Sequence, residues 1–160
     1  MILSFSDALV APIQARTKVH TFRAGSRWRC GGMLIHFYAR TRTPAMYRFF
    51  PTRRVVSVQA AELTAQGLHI EGRRLEGAEL ELFARHDGFA TAAAFFAFFA
   101  ARPLPLTGQL IHWSRVRYES GVTLRENEQR AADFFASAAA DEDVDAQADS
   151  DKRNRATARR

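Results

Sequence analysis

Few side chains of this 160-residue chain have the type and spacing that catalysis or metal binding requires. The single cysteine, Cys30, lies among arginines whose charge lowers the pKa of a thiol, but an incidental thiol is the simpler interpretation. The five histidines are too dispersed for zinc-ligand spacing, and no glycine-rich phosphate loop or Gly-x-Ser-x-Gly turn occurs. The sequence therefore predicts no metal site and no cofactor.

The lysines are exceptions in a basic chain. Of the 23 basic residues, all but Lys18 and Lys152 are arginines. An arginine does not lose its proton near neutral pH, whereas a lysine does so when burial or a neighbouring cation lowers its pKa. Lys18 is the only lysine in the part of the chain that we expect to fold, so it is a candidate general base.

Positive charge is concentrated in the first third of the chain. Residues 1–54 contain ten basic side chains and one acid, Asp7, although the net charge of the whole chain is only +6. Such a segment attracts polyanions, because arginine binds phosphate through paired N–H groups and stacks on bases. Trp28 or Tyr38 could stack on a base as well. The residues predicted to contact RNA are Arg23, Arg27, Trp28, Arg29, Arg40 and Arg42.

Composition predicts one domain with a tail. Hydrophobic residues make up 47% of the chain, enough for a core, and no apolar run reaches the about 20 residues of a membrane span. We therefore expect a cytoplasmic protein with no membrane partner. The predicted domain covers residues 1–120 and is followed by a C-terminal helix over 121–140. Residues 141–160 are charged and almost without large apolar side chains, which predicts a disordered tail.

Periodicity and turn residues predict an α+β fold. Thr91 is a candidate N-cap, and Thr123 with Glu126 has the spacing of a capping box. We expect residues 41–52 to be irregular because they contain two prolines. Strands are predicted at 1–5, 18–23, 33–39, 54–63, 68–71 and 108–118, with a hairpin between the fourth and fifth. Helices are predicted at 8–16, 76–85, 92–101 and 123–140.

An ordered set of segments resembles ASCH domains. The first is Pro12–Arg23, in which a helix end and a basic turn precede a Lys-x-x-Thr-hydrophobe-Arg pattern. Trp28–Gly32, Val55–Gln59, Asp87–Phe89 and Ile111–Trp113 follow in the order expected of that family. The resemblance implies a PUA-like mixed β-barrel covered by short helices, to which this chain adds a C-terminal helix and a disordered tail.

The same resemblance implies a site and an activity. Some ASCH proteins are amidohydrolases that remove the acetyl group from N4-acetylcytidine with a lysine, a threonine and a glutamate. Lys18 and Thr21 match that set, and the acid falls on Asp87, where the family commonly has glutamate. Thr21 would be the nucleophile, Lys18 its base, and Asp87 would orient Lys18 or pass a proton to the leaving N4. In an extended strand Lys18 and Thr21 point to opposite faces, so this mechanism requires a bend.

Three other functions stay open at this stage. Other ASCH proteins are described as ribonucleases, so the resemblance also implies cleavage of single-stranded RNA in the same cleft. A non-catalytic RNA-binding module would use the arginines and an aromatic residue alone. A protein-interaction accessory would place the arginines on an acidic partner. RNA or a modified nucleoside is the partner that the sequence favours.

Overall fold

A computed structural model describes residues 1–28 and 33–136 of the chain. Its strands are β1 (Ile2–Phe5), β2 (His20–Ala24), β3 (Leu34–Ala39), β4 (Tyr47–Arg54), β5 (Ser57–Thr64), β6 (Gly67–Ile70), β7 (Arg73–Arg74) and β8 (Leu106–His112). Its helices are α1 (Val10–Gln14), α2 (Gly77–His86), α3 (Ala92–Phe99) and α4 (Leu124–Ala136), with a 3₁₀ turn over Asp7–Leu9. None of the helices in these described ranges has the length and apolar character needed to cross a membrane.

The described strands form two sheets. In the smaller, β3 lies between a parallel β1 and an antiparallel β4. In the larger, the antiparallel order is β2-β8-β5-β6-β7. The predicted α+β class is confirmed. Within residues 1–28 and 33–136, however, the strands do not close into the expected barrel.

Two predicted elements differ from the observed ones. Half of the segment 41–52, expected to be irregular, belongs to strand β4, which contains Pro51. β4 lies at the edge of its sheet, where a proline costs no internal ladder hydrogen bond. The strand predicted over 108–118 ends at His112, and the chain then turns inward. Both differences arise from tertiary packing, which local residue preferences do not report.

The predicted helix caps are present. The Thr123 hydroxyl accepts from the Glu126 N–H at 3.2 Å, and the Glu126 carboxylate accepts from the Thr123 N–H at 2.7 Å. The Thr91 hydroxyl accepts an N–H at the start of α3. The predicted hairpin is also confirmed, since β5 pairs with β6 across a two-residue turn. The predicted helix end over 137–140 and the tail over 141–160 lie outside the described residues.

Two hydrophobic clusters are separated by the larger sheet. Leu110 of β8 packs in a cluster with Phe83 and Phe95, whereas the next residue, Ile111, packs in a second cluster with Trp28. Successive side chains of a strand point to opposite faces, so β8 contributes to both clusters. β8 is paired on both sides, with β2 and with β5. The residues that follow Lys18 belong to β2 and are therefore fixed by this central strand.

A glycine marks the closest approach of β2 and β8. A Cβ atom at Gly108 would lie 2.2 Å from the carbonyl oxygen of Arg23. We expect Gly108→Ala to lower the free energy of unfolding by about 2–3 kcal/mol, because the strands must separate. Urea unfolding measures this loss. The matched control is Gly25→Ala, where the φ of 88° is strained but the space is open, and about 1 kcal/mol is expected. Equal losses in both variants would contradict this role of Gly108.

Candidate active site

Lys18 lies at a bend between α1 and β2. The backbone reverses at Arg16, whose φ is 59°, and the Lys18 N–H donates to the Pro12 carbonyl at 3.0 Å. The strand predicted from residue 18 therefore begins only at His20. This is the bend that the predicted mechanism requires. Lys18 precedes the strand, so the alternation of side chains that places Thr21 on one face of β2 does not force Lys18 to the opposite face.

Asp87 lies directly after the last residue of α2. Its N–H donates to the Phe83 carbonyl at 2.8 Å, so its position is fixed by the helix end. The next residue, Gly88, has a φ of 89°, and a Cβ there would lie 3.0 Å from Lys18 Cδ and 3.1 Å from Leu9 Cδ2. Glycine at position 88 is therefore required both by the positive φ of the turn and by the Lys18 side chain, which packs against it.

Lys18 and Asp87 form a buried ion pair. The Lys18 Nζ donates to the Asp87 Oδ1 at 2.8 Å and to the Asp87 backbone carbonyl at 2.6 Å. Lys18 is 0% exposed and Asp87 is 3% exposed. The backbone carbonyl belongs to the C-terminal end of α2, where the helix dipole favours a cation. One amine thus serves two acceptors that the sequence places 69 positions away.

Burial shifts both pKa values of the pair toward the uncharged forms. It lowers the pKa of Lys18 from 10.5 to about 8, even though the charge and hydrogen bond of Asp87 act in the opposite direction. The positive charge of Arg23 lowers it further. Burial also raises the pKa of the Asp87 carboxyl, against the attraction of Lys18. A neutral Lys18 amine keeps two N–H groups for its two acceptors and has a lone pair to receive a proton.

A cavity of about 290 Å³ lies in front of this pair. Thr21 and Asp87 line it, and so do Phe5 and Leu9. Phe5 and Asp87 also contact Lys18, whose Nζ is 6.0 Å from the Phe5 ring centroid. The amine thus lies immediately behind the cavity wall. The structure brings Lys18 and Asp87 into contact and places Thr21 on the same cavity.

Three arginines line the same cavity. Arg23 is mostly buried, donates to the Ser4 carbonyl and lies 5.0 Å from the Phe5 ring centroid. Arg27 and Arg102 also line the cavity and are exposed, and neither forms an ion pair with a described acid. Arg102 was not predicted, because it follows α3, far along the chain from the basic first third. The cavity therefore offers a cationic rim around one buried carboxylate.

Of the other arginines predicted to contact RNA, neither Arg40 nor Arg42 lines the cavity. Arg40 lines a second cleft, which shares Arg23 with the cavity, and its Nε is 3.1 Å from Asp7 Oδ2. Arg42 is exposed and lines neither space. Arg29 lies outside the described residues.

Trp28, which we predicted to stack on a base, is buried in this structure. Trp28 is 2% exposed and packs in the second hydrophobic cluster. Its backbone N–H and carbonyl are both bonded to the Gln109 side chain, at 2.9 and 3.2 Å. The indole contributes to the core instead of offering a face to a ligand.

An aromatic residue of α3 lies at the cavity. Phe95 and Phe99 of this helix are buried, with exposures of 0% and 8%. Phe98 is instead 52% exposed and lines the cavity together with Phe89, their ring centroids 5.4 Å apart. Because four phenylalanines cover most of the circumference of a short helix, one of them must face away from the core.

Histidines and a tyrosine extend the buried polar site. His20 Nδ1 lies 3.3 Å from Asp87 Oδ1, and His20 Nε2 lies 2.9 Å from the Tyr118 hydroxyl. That hydroxyl is also 3.1 Å from His86 Nδ1. Burial lowers the pKa of His20 well below its ordinary value and that of His86 to about 4, so both rings are neutral near pH 7. Sequence spacing gave no signal for these contacts, because they join three separate segments.

Within residues 1–28 and 33–136, no group of three or more His, Cys, Asp or Glu side chains is placed to hold a metal ion.

No family model, curated protein or solved structure matches this chain. The geometry itself therefore defines the class of site: a desolvated amine–carboxylate pair behind a small cavity with a hydroxyl, aromatic walls and a cationic rim.

The buried pair should show strong coupling in a double-mutant cycle. Lys18→Met leaves a buried carboxylate without its cation, and Asp87→Asn leaves a buried cation without its anion. Each is expected to cost about 3–5 kcal/mol of unfolding free energy. In the double variant no charge is stranded, so we expect it to be more stable than either single variant. Urea unfolding of the four proteins measures the coupling, and additive losses would show that the pair does not interact in solution.

Proposed function

We propose that this chain is an ASCH-like amidohydrolase that binds a modified pyrimidine nucleoside and removes the acetyl group of N4-acetylcytidine. The observation that carries the proposal is the buried contact of Lys18 with Asp87 behind the cavity that Thr21 lines. These are the three residues that the resemblance selected from the sequence. In the chain they are separated by up to 69 positions, and no local preference requires them to share a site.

The chemistry begins at the Thr21 hydroxyl. Its oxygen attacks the acetyl carbonyl carbon while its proton passes to the neutral Lys18 amine. The bond between the carbonyl carbon and N4 then breaks, the proton passes to N4, and cytidine leaves an acetyl ester on Thr21. Water hydrolyses the ester to acetate. Arg23 lines the cavity and supplies the positive charge that a developing oxyanion requires.

The lysine is suited to this role by its surroundings. Its two hydrogen bonds to Asp87 are compatible with a neutral amine, and its pKa of about 8 gives a usable neutral fraction near physiological pH. An arginine at this position would stay protonated. Asp87 is one methylene shorter than the family's glutamate, and the direct contact of 2.8 Å indicates that the shorter acid still reaches the lysine.

The size and lining of the cavity support a small, flat ligand such as a nucleoside. Its volume of about 290 Å³ is near the lower limit of small-molecule sites, which begin at roughly 300 Å³. Phe98 and Phe89 offer flat apolar surfaces for a pyrimidine ring. The exposed guanidinium groups of Arg27 and Arg102 favour a ligand with electron-rich oxygens at the rim.

Substitution of Thr21 tests the nucleophile directly. Thr21→Val has nearly the same shape and no hydroxyl, so we expect it to lower the rate of cytidine release from N4-acetylcytidine about 1,000-fold or more. Thr21→Ser keeps the hydroxyl and is expected to stay within about tenfold of the wild type. Chromatography of the released cytidine measures both, and circular dichroism checks that both are folded. Hydrolysis by Thr21→Val at the wild-type rate would exclude Thr21 as the nucleophile.

The pH dependence tests the base. Since only neutral Lys18 accepts the proton, kcat/KM should rise about tenfold per pH unit up to a midpoint near pH 8 and then level off. A lysine with the ordinary pKa of 10.5 would instead give a rate still rising at pH 10. Rates between pH 6 and pH 10, with folding checked at each pH, distinguish the two profiles.

Non-catalytic RNA binding is the second candidate. It is favoured by the exposed arginines Arg27, Arg40 and Arg102, which line the cavity and the adjoining cleft. A protein that releases no cytidine but binds single-stranded RNA with a steep salt dependence would fit this function instead. Cleavage of that RNA would indicate the ribonuclease.

A further inference from the structure

The polar contacts behind Asp87 form a hydrogen-bond chain in which every donor points the same way. A carboxylate oxygen only accepts hydrogen bonds, so His20 must donate its Nδ1–H to Asp87 Oδ1. A neutral His20 then has a lone pair on Nε2, and the Tyr118 hydroxyl must donate to it. The Tyr118 oxygen in turn accepts, so His86 must donate its Nδ1–H. Every hydrogen in the chain therefore points toward Asp87.

The ring packing around the chain restricts its alternatives. Phe83 stacks on His20 with a centroid distance of 5.0 Å and contacts the Tyr118 ring at 5.3 Å. His112 contacts His20 at 5.2 Å, but neither of its ring nitrogens has a hydrogen-bond partner among the described residues. Phe83 has no hydrogen-bonding side-chain group, and His112 forms no hydrogen bond to His20.

Few charged groups lie near the hydrogen-bond chain. Lys18 and Asp87 lie at its inner end, and the neutral ring of His112 faces His20. Arg85 of α2 acts through space on His86 and Tyr118, Glu79 acts on Tyr118, and Arg117 acts on the neighbouring His112. Of these charged groups, only Asp87 accepts a hydrogen bond from the hydrogen-bond chain, through His20. The direction of the hydrogen bonds therefore acts directly on this carboxylate.

We propose that Tyr118, His20 and His86 are positioning residues that orient Asp87 and, through it, Lys18. This inference rests on the proposed amidohydrolase function, because it assigns the three residues to the same reaction. The Asp87 Oδ1 receives two donors, Lys18 Nζ and His20 Nδ1, which fix its direction. Loss of the Tyr118 hydroxyl leaves His20 Nε2 without its donor and His86 Nδ1 without its acceptor. The His20 ring is then held by its bond to Asp87 alone, so the ring and the carboxylate that it orients gain freedom to rotate away from the lysine.

The first test observes the tautomers and needs no substrate. Long-range ¹H–¹⁵N correlation spectra of histidine-labelled protein report which ring nitrogen carries hydrogen. We expect Nδ1–H for His20 and for His86 in the wild type. In Tyr118→Phe we expect the ¹⁵N shift of His20 Nε2 to move, because this nitrogen loses its donor, and the Nδ1–H form of His86 to decrease, because it loses its acceptor. Phe83→Leu is the matched control, since it alters packing on both rings but removes no hydrogen bond. His20 protonated at Nε2 in the wild type would overturn the proposed chain.

The second test measures kinetics on N4-acetylcytidine. Tyr118→Phe is expected to lower kcat about 10- to 100-fold with KM within about twofold of the wild type, because Asp87 is misplaced while the cavity is intact. His86→Leu should lower kcat as well, and His86→Gln should restore most of it by supplying an amide N–H. Phe83→Leu should stay within about twofold of the wild type.

The possible outcomes separate the two proposals. An active wild type whose kcat is unchanged by Tyr118→Phe, or lowered equally by Phe83→Leu, overturns the positioning role and leaves the amidohydrolase function intact. A wild type without activity overturns the proposed function and this role with it, while the tautomer spectra still report whether the chain exists. Loss in Tyr118→Phe and His86→Leu with rescue by His86→Gln supports both.

Discussion

The removal of Lys18 from water is the constraint on which the site depends. A buried ammonium group is tolerated only if an anion and further acceptors replace its hydration. Here both come from one residue, Asp87, through its carboxylate and its backbone carbonyl. Three local features bring the two residues together: the reversed backbone at Arg16, the end of α2 and the glycine at position 88. Each of them is a local backbone conformation that allows the contact between Lys18 and Asp87.

The same burial suits the Lys18 amine to the proposed reaction. Desolvation favours the neutral forms of both Lys18 and Asp87, while their contact favours the charged forms. The two effects oppose each other, so a small change near the pair is enough to move a proton. Arg23 contributes to this balance, because its charge disfavours a second cation at Lys18 and stabilises the anion at Asp87. A solvated pair would keep its ordinary pKa values and could not act as a base near neutral pH.

Local signals predicted only part of this arrangement. The capping box at Thr123 and the Thr91 cap are encoded within one helical turn, and sequence reasoning found them. Lys18 stood out through its type and through the family resemblance. Tyr118 and Phe98 were missed because their roles depend on which segments meet: one turns inward after β8 and the other faces out of α3. Trp28 was misassigned for the same reason, since an aromatic residue among arginines suits either a core or a binding surface.

The cost of the buried polar chain favours a functional explanation over a structural one. Lys18, His20, Asp87 and His112 are all at most 3% exposed, and apolar residues of similar volume would avoid the desolvation of every one of them. Further polar groups hold Tyr118 in place, because the buried Gln59 side chain bonds its backbone N–H and carbonyl, each at 3.0 Å. A core that needed only stability would not require an oriented hydroxyl at this position. The proposed reaction, in which the carboxylate keeps one direction while its partner lysine gains and loses a proton, would require it.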